Sequence, residues 1–212
     1  MQFRLVYDGI LRSSGNNSRR PEEKHDIRRQ FHKQLKRLWD VQPMLNQRRT
    51  LVMEEDIYTR NRRDNPDDEF FAEPYMSEAD TLAKRFSRYG FRFLPLVNST
   101  YNLICDLEMV FLQKQLPGDS IFHAGDIDNR IKTLLDALRV PSDQNEIKGF
   151  TPQTDEDPFY CLLEDDRLVS GFCVTMDRLL RDAPDDNANR VHLTINVKMR
   201  ASVTTNLNMD LV

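Results

Sequence analysis

Along the chain the apolar positions change period several times, and each change predicts an element. Phe3, Leu5 and Tyr7 alternate with polar neighbours in QFRLVYD, which predicts a strand over 2–8 with one buried face. Gly, Ser, Asn and Pro then crowd residues 9–21, a loop signal. From Glu22 to Trp39 the residues Ile27, Phe31, Leu35 and Leu38 recur at helical spacing. Arg29, Lys33, Lys36 and Arg37 fall on the other side, so the pattern predicts an amphipathic helix with a basic outer face. Residues 40–75 keep no clear period and contain the charge-dense run RNRRDNPDDE at 60–69, as an insertion would. Ser77 and Glu78 open a shorter helix that ends before Gly90.

Beyond Gly90 the period becomes two. GFRFLPLVN and NLICDLEMVFLQ flank Ser99–Thr100 and predict a hairpin, with Leu103, Cys105, Leu107, Met109 and Phe111 on one face of its second arm. Two further strands are predicted at 168–176 (LVSGFCVTM) and 191–199 (VHLTINVKM). In the last, Val191, Leu193, Ile195, Val197 and Met199 point one way and His192, Thr194, Asn196 and Lys198 the other, a sheet with one dry and one wet face. Between the strand pairs, GDIDNRIKTLLDAL places Ile127, Ile131, Leu134, Leu135 and Leu138 within about 100° on a helical wheel. The order of elements predicts an α+β fold, a mixed or antiparallel sheet flanked by helices. Residues 1–212 are expected to form a single domain with insertions at about 40–90 and 139–163.

Composition narrows the function classes. Of 212 residues 39% are hydrophobic and 30% charged, and 30 basic against 34 acidic residues leave a net charge of −4. Nucleic-acid binding would therefore need a local basic patch or metal ions. No apolar run approaches the roughly 18 residues of a membrane span, and MQFRLVYDGILRSS lacks the features of a signal peptide, so a cytoplasmic protein without a membrane partner is expected. Cys105, Cys161 and Cys173 form no CxxC pair and read as reduced thiols; Cys105 and Cys173, inside strand patterns, are expected to be buried. The scattered histidines suit no zinc site.

The candidate chemistry lies on the third helix. Asp128, Lys132 and Asp136, spaced i, i+4, i+8, line one flank of its apolar stripe, and Asp126 stands at the helix start. Helix capping and a ladder of i,i+4 ion pairs account for these residues structurally. A second cluster, Glu164-Asp165-Asp166, favours another account, because three successive carboxylates at a strand entry repel one another unless a cation intervenes. Carboxylates from a helix start and a strand end, brought together, suit Mg²⁺ or Mn²⁺. Lys132 would add a cation for developing negative charge.

The string DIDNRIKTLLDAL, followed by EDDRLV, resembles the RusA family of Holliday-junction resolvases: an Asp-x-Asp-Asn start, a Lys four residues after the second Asp, Asp-Ala-Leu, then an Asp pair entering a strand. The resemblance covers residues 100–200 well and the N-terminal strand and helix loosely. It implies a RusA-like domain and a Mg²⁺-dependent endonuclease, with Mn²⁺ as a substitute ion, that cuts branched DNA such as Holliday junctions as a homodimer. By position it implies that Asp126, Asp128 and Asp166 are the metal-binding catalytic aspartates, Lys132 the essential lysine and Asp165 the supporting member of the pair. Arg29, Lys33, Lys36 and Arg37, with Arg130 inside the motif, are the candidate nucleic-acid contacts. A non-catalytic DNA- or protein-binding member of the fold is the alternative.

Overall fold

The computed structural model describes residues 1–12, 20–47, 49–51, 75–114, 124–147, 149–181, 187 and 189–212, and of residues 20, 49–51, 75–76 and 124–126 only the backbone. The charge-dense run at 60–69 lies outside the described residues.

The larger sheet has four strands in the order β1 (Gln2–Ile10), β9 (Arg190–Ala201), β6 (Leu103–Gln113) and β8 (Val169–Arg178). β1 and β6 each pair antiparallel with β9, and β8 pairs parallel with β6. The alternation read from the sequence sets its two faces. Leu5, Tyr7, Leu103, Leu107, Met109, Leu193, Ile195 and Val197 are buried on one, whereas Arg4, Glu108 and Lys198 are exposed on the other. Cys105 is buried as expected, but Cys173 is exposed. It sits on the outermost strand, on the face that none of the described helices covers, where strand patterning alone does not guarantee burial.

The expected hairpin at Ser99–Thr100 does not form. β5 (Phe91–Val97) pairs antiparallel with the short β4 (Ser87–Arg88) through a turn at Tyr89 (φ 55) and Gly90 (φ 83), and parallel with β7 (Phe159–Leu163). A 3₁₀ turn at Ser99–Tyr101, capped by the Asn98 side chain and closed by Asn102 in the left-handed region (φ 51), carries the chain from this three-stranded sheet into β6. The physical reason lies in the burial pattern. Phe93, Leu94, Leu96 and Val97 are buried on both faces of β5, and a doubly buried strand belongs to a covered parallel pairing, whereas β6 has one wet face. β7 falls inside the expected 139–163 insertion, yet Phe159, Cys161, Leu162 and Leu163 are core residues. A separate antiparallel ribbon joins β2 (Arg49–Leu51) to β3 (Tyr75–Ser77).

Helix α1 (Arg20–Val41) packs against β1 and β7. Ile27, Phe31, Leu35 and Trp39 are buried, and so are His25, Arg28 and His32, giving an arc of about 160° at 100° per residue. That arc exceeds an ordinary amphipathic stripe because two sheets, not one, flank the helix. A four-residue α2 (Pro43–Asn46) follows. Ser77 caps α3 (Glu78–Arg85) by accepting from the Asp80 amide at 3.0 Å. Helix α4 (Ala124–Leu138) carries the DIDN motif. Among the described residues no helix is long and apolar enough to cross a membrane.

His25 lies at the rim of that arc, stacked on Phe150 at 4.2 Å, and neither ring nitrogen has a hydrogen-bond partner among the described residues. Burial, aided by Arg28, holds its pKa down at about 4. The unfolded chain, whose histidine titrates near 6.5, therefore takes up a proton before the folded one does. The stability from a neutral His25 is complete above about pH 6.5 and is lost as pH falls towards 4, by roughly 3 kcal/mol. Urea unfolding at pH 7.5 and 4.5 should show this loss, and His25→Phe should flatten the dependence in that window.

Candidate active site

Helix α4 is tied down at its C-terminal end. Arg139 forms a parallel bridge with Leu163 of β7, and the Val140 amide donates to the Leu163 carbonyl at 2.9 Å. Leu134, Ala137 and Leu138 are buried, and Ile127, Ile131 and Leu135 are half-buried. Asp136 is buried beside them and fully paired. Lys24 Nζ lies 2.5 Å from its Oδ2 and Arg139 Nη2 2.8 Å from its Oδ1, while Arg28 Nη2 donates to its backbone carbonyl at 2.9 Å. Burial would raise the Asp136 pKa, but Lys24 and Arg139 outweigh it and hold the carboxyl below the usual range. Arg139 also reaches Glu146 at 3.0 Å.

The i,i+4 ladder is therefore not formed. Asp136 is taken by residues from α1 and from the end of α4, and Asp128 and Lys132 are exposed, with no ion pair among the described residues. Asp126 occupies the first turn of α4; its side chain lies outside the described residues.

Of the three successive carboxylates, two have structural partners. Glu164 Oε2 accepts from both the amide and the hydroxyl of Ser99 at 2.7 Å, joining the end of β7 to the turn after β5. Asp165 caps the 3₁₀ turn Asp166–Leu168 by accepting from the Arg167 amide at 3.0 Å and the Arg167 Nε at 2.8 Å, and these bonds pull its pKa down to about 2. Asp166 is exposed. Among the described residues no group of three or more His, Cys, Asp or Glu side chains is gathered to hold one ion. Asp128 and Arg139 are eleven positions apart, roughly 16 Å along the axis, and Asp166 lies three residues beyond Leu163. Asp128 and Asp166 thus approach one another only where residues 164–166 run back along α4.

The basic candidates divide. Arg29 Nε donates to the buried Glu156 at 2.6 Å, and Lys36 Nζ donates to the Asp155 carbonyl at 3.0 Å. Lys33 and Arg37 are exposed. Arg130 Nη2 lies 3.3 Å from Asn189 Oδ1, fixing α4 to the start of β9. The acidic 155–157 segment thus folds onto one border of the basic face of α1. A shallow groove of about 340 Å³ on the open sheet face, lined among others by Asp106, Glu108, Cys173, Asn196 and Lys198, includes no residue of α4.

The sequence reading missed the cluster of Lys24, Arg28, Arg139 and Glu146 that holds Asp136. A usable signal was present: at 100° per residue Lys24 and Arg28 fall inside the arc of Ile27, Phe31, Leu35 and Trp39, and cations inside an apolar stripe need buried partners. No family model, curated protein or solved structure matches this chain.

These placements separate structural from chemical roles within one motif. Asp136→Ala should strand Lys24 and Arg139 in a half-dry site and lower stability by about 2–4 kcal/mol. Asp128→Ala and Lys132→Ala, both exposed, should each change it by less than about 0.5 kcal/mol. Denaturant unfolding of the three variants checks the contrast.

Proposed function

We propose that this chain is a RusA-like, Mg²⁺-dependent endonuclease acting as a homodimer on branched DNA such as Holliday junctions. One observation carries the reading. Within a single motif Asp136 is consumed by buried ion pairs, whereas Asp128 and Lys132, one turn apart on the same helix, stand in solvent with no structural partner among the described residues. A carboxylate and an ammonium with no packing role at those positions are what a metal-assisted phosphodiesterase uses. Asp166, exposed where Glu164 and Asp165 are engaged, is the matching member of the second cluster.

The donor set fits the ion: carboxylate oxygens suit Mg²⁺, with Mn²⁺ able to replace it. Asp126, Asp128 and Asp166 would hold it, and when bound it supplies water activation and charge neutralisation at the phosphate. Lys132 offsets charge developing on the phosphate oxygens. Lys33, Arg37 and Arg130 offer cations to the DNA backbone; Arg29 and Lys36 add to them only where the 155–157 segment moves aside. A cytoplasmic location, which reduced thiols fit, would make Mg²⁺ available.

A cleavage panel of four-way junction, fork, duplex and single-stranded DNA tests the reading. The wild type should cut a branched substrate only with Mg²⁺ or Mn²⁺. Asp126→Asn, Asp128→Asn, Asp166→Asn and Lys132→Ala should each lower the rate by about 10²-fold or more. Binding in metal-free buffer should persist or tighten in the Asn variants, because each removes a charge that repels phosphate. A wild type that neither gains thermal stability from Mn²⁺ nor cuts any branched DNA would replace this reading with the non-catalytic one.

A further inference from the structure

The four-stranded sheet treats its two edges differently. At the β1 edge the Gln34 side chain fills the outward backbone groups of Val6, accepting from its amide at 2.9 Å and donating to its carbonyl at 2.7 Å. Arg4 and Asp8 place charges on either side. An edge guarded in this way resists pairing with another strand. Among the described residues the β8 edge has no such guard. Among the described residues no strand pairs with its outer side and no side chain occupies its outward amides between Gly171 and Thr175. It lacks Pro and Lys, and its Phe172 is 61% exposed although its neighbours on that face, Val174 and Met176, pack against the core.

We infer that β8 is the edge through which two copies of this chain pair, antiparallel about a two-fold axis at Val174, joining their sheets into one of eight strands. The register follows from the pleat. Because side chains alternate faces, only pairings that keep the residue parity place the dry face of one copy beside the dry face of the other. Centred on Val174, Phe172 meets Met176 of the second copy, Val174 meets Val174, and the reciprocal Met176–Phe172 contact completes an unbroken apolar row that continues the core. On the wet face Cys173 meets Thr175, and Asp177 meets Gly171, so no like charges oppose one another. Moving the axis to Cys173 would instead set Met176 against Ser170 and Asp177 against Val169. The irregular register at Cys105/Asp106 ends the regular part of β8 at its N-terminal side, which limits the paired segment to Gly171–Asp177. An isologous contact of this kind closes at two copies and cannot propagate into a filament. The inference adds an interface to the homodimer of the proposed function, but it rests on the edge and not on the metal chemistry.

The test reads association, not cleavage: a monomeric wild type would remove the homodimer of the proposed function as well, a dimer indifferent to the β8 variants would overturn this interface alone, and neither result touches the metal chemistry. Sedimentation of the full chain at 1–100 μM compares the wild type with two double variants at exposed wet-face positions. The wild type should be a dimer in this range. Cys173→Glu with Thr175→Glu, which opposes glutamates twice across the axis, should weaken it at least tenfold. Cys173→Lys with Thr175→Glu, which converts both pairs to Lys–Glu, should restore it to within about threefold of the wild type. A short bis-maleimide should link wild-type dimers through Cys173, since Cys105 and Cys161 are buried. This second readout needs no variant to fold. A wild type monomeric at 100 μM, dimers unaffected by the paired glutamates, no rescue by the Lys–Glu pairs, or no cross-linked dimer would each overturn the inference.

Discussion

A buried carboxylate must be paired, and in this protein that constraint falls on Asp136. Its two oxygens take Lys24 from α1 and Arg139 from the end of α4, and its carbonyl takes Arg28. Glu146, from the segment after α4, closes the circuit onto Arg139. One side chain thus fixes the angle between two helices and the start of the connection to β7. Without those cations its desolvation would favour either protonation or displacement of α4. The exposed Asp128 and Lys132 project from the same rigid rod, so their position is set by an ion-paired group one to two turns away.

The same logic of burial explains the sheets. β5 is apolar on both sides and lies between β4 and β7; β6 is apolar on one side and belongs to the sheet with an open face. The turn at 98–102 passes the chain between them, and the Glu164–Ser99 bonds tie β7 to that turn. Glu164 and Asp165, read as an electrostatic excess, are therefore mostly local capping groups. Acidic density at a strand entry is weak evidence for a metal until each carboxylate has been assigned its partners. Here the assignment leaves Asp166.

Charge on α1 follows a similar division. The helix has a basic outer face as its periodicity indicated, but the 155–157 segment covers its border and uses Arg29 and Lys36. What remains for a polyanion is narrower, centred on Lys33 and Arg37. The open face of the large sheet, with Asp8 bound by Arg181, Arg190 and His192, is a mixed and internally neutralised surface rather than a cationic groove.

Read alone, the sequence determined strands at 2–8, 102–113, 168–176 and 191–199, the helices α1, α3 and α4, the α+β class, and the placement of Asp128 and Lys132 on one helix flank. All of these follow from local period and capping, which depend on near neighbours. Only the tertiary structure decided that β5 and β6 part company, that β7 belongs to the core, that Cys173 is exposed, and that Asp136 pairs with α1 and not with Lys132. Each of these is a long-range choice. An apolar run states that a segment must be buried but not against what, and a charge within reach of two partners goes to the one the fold brings into the dry interior.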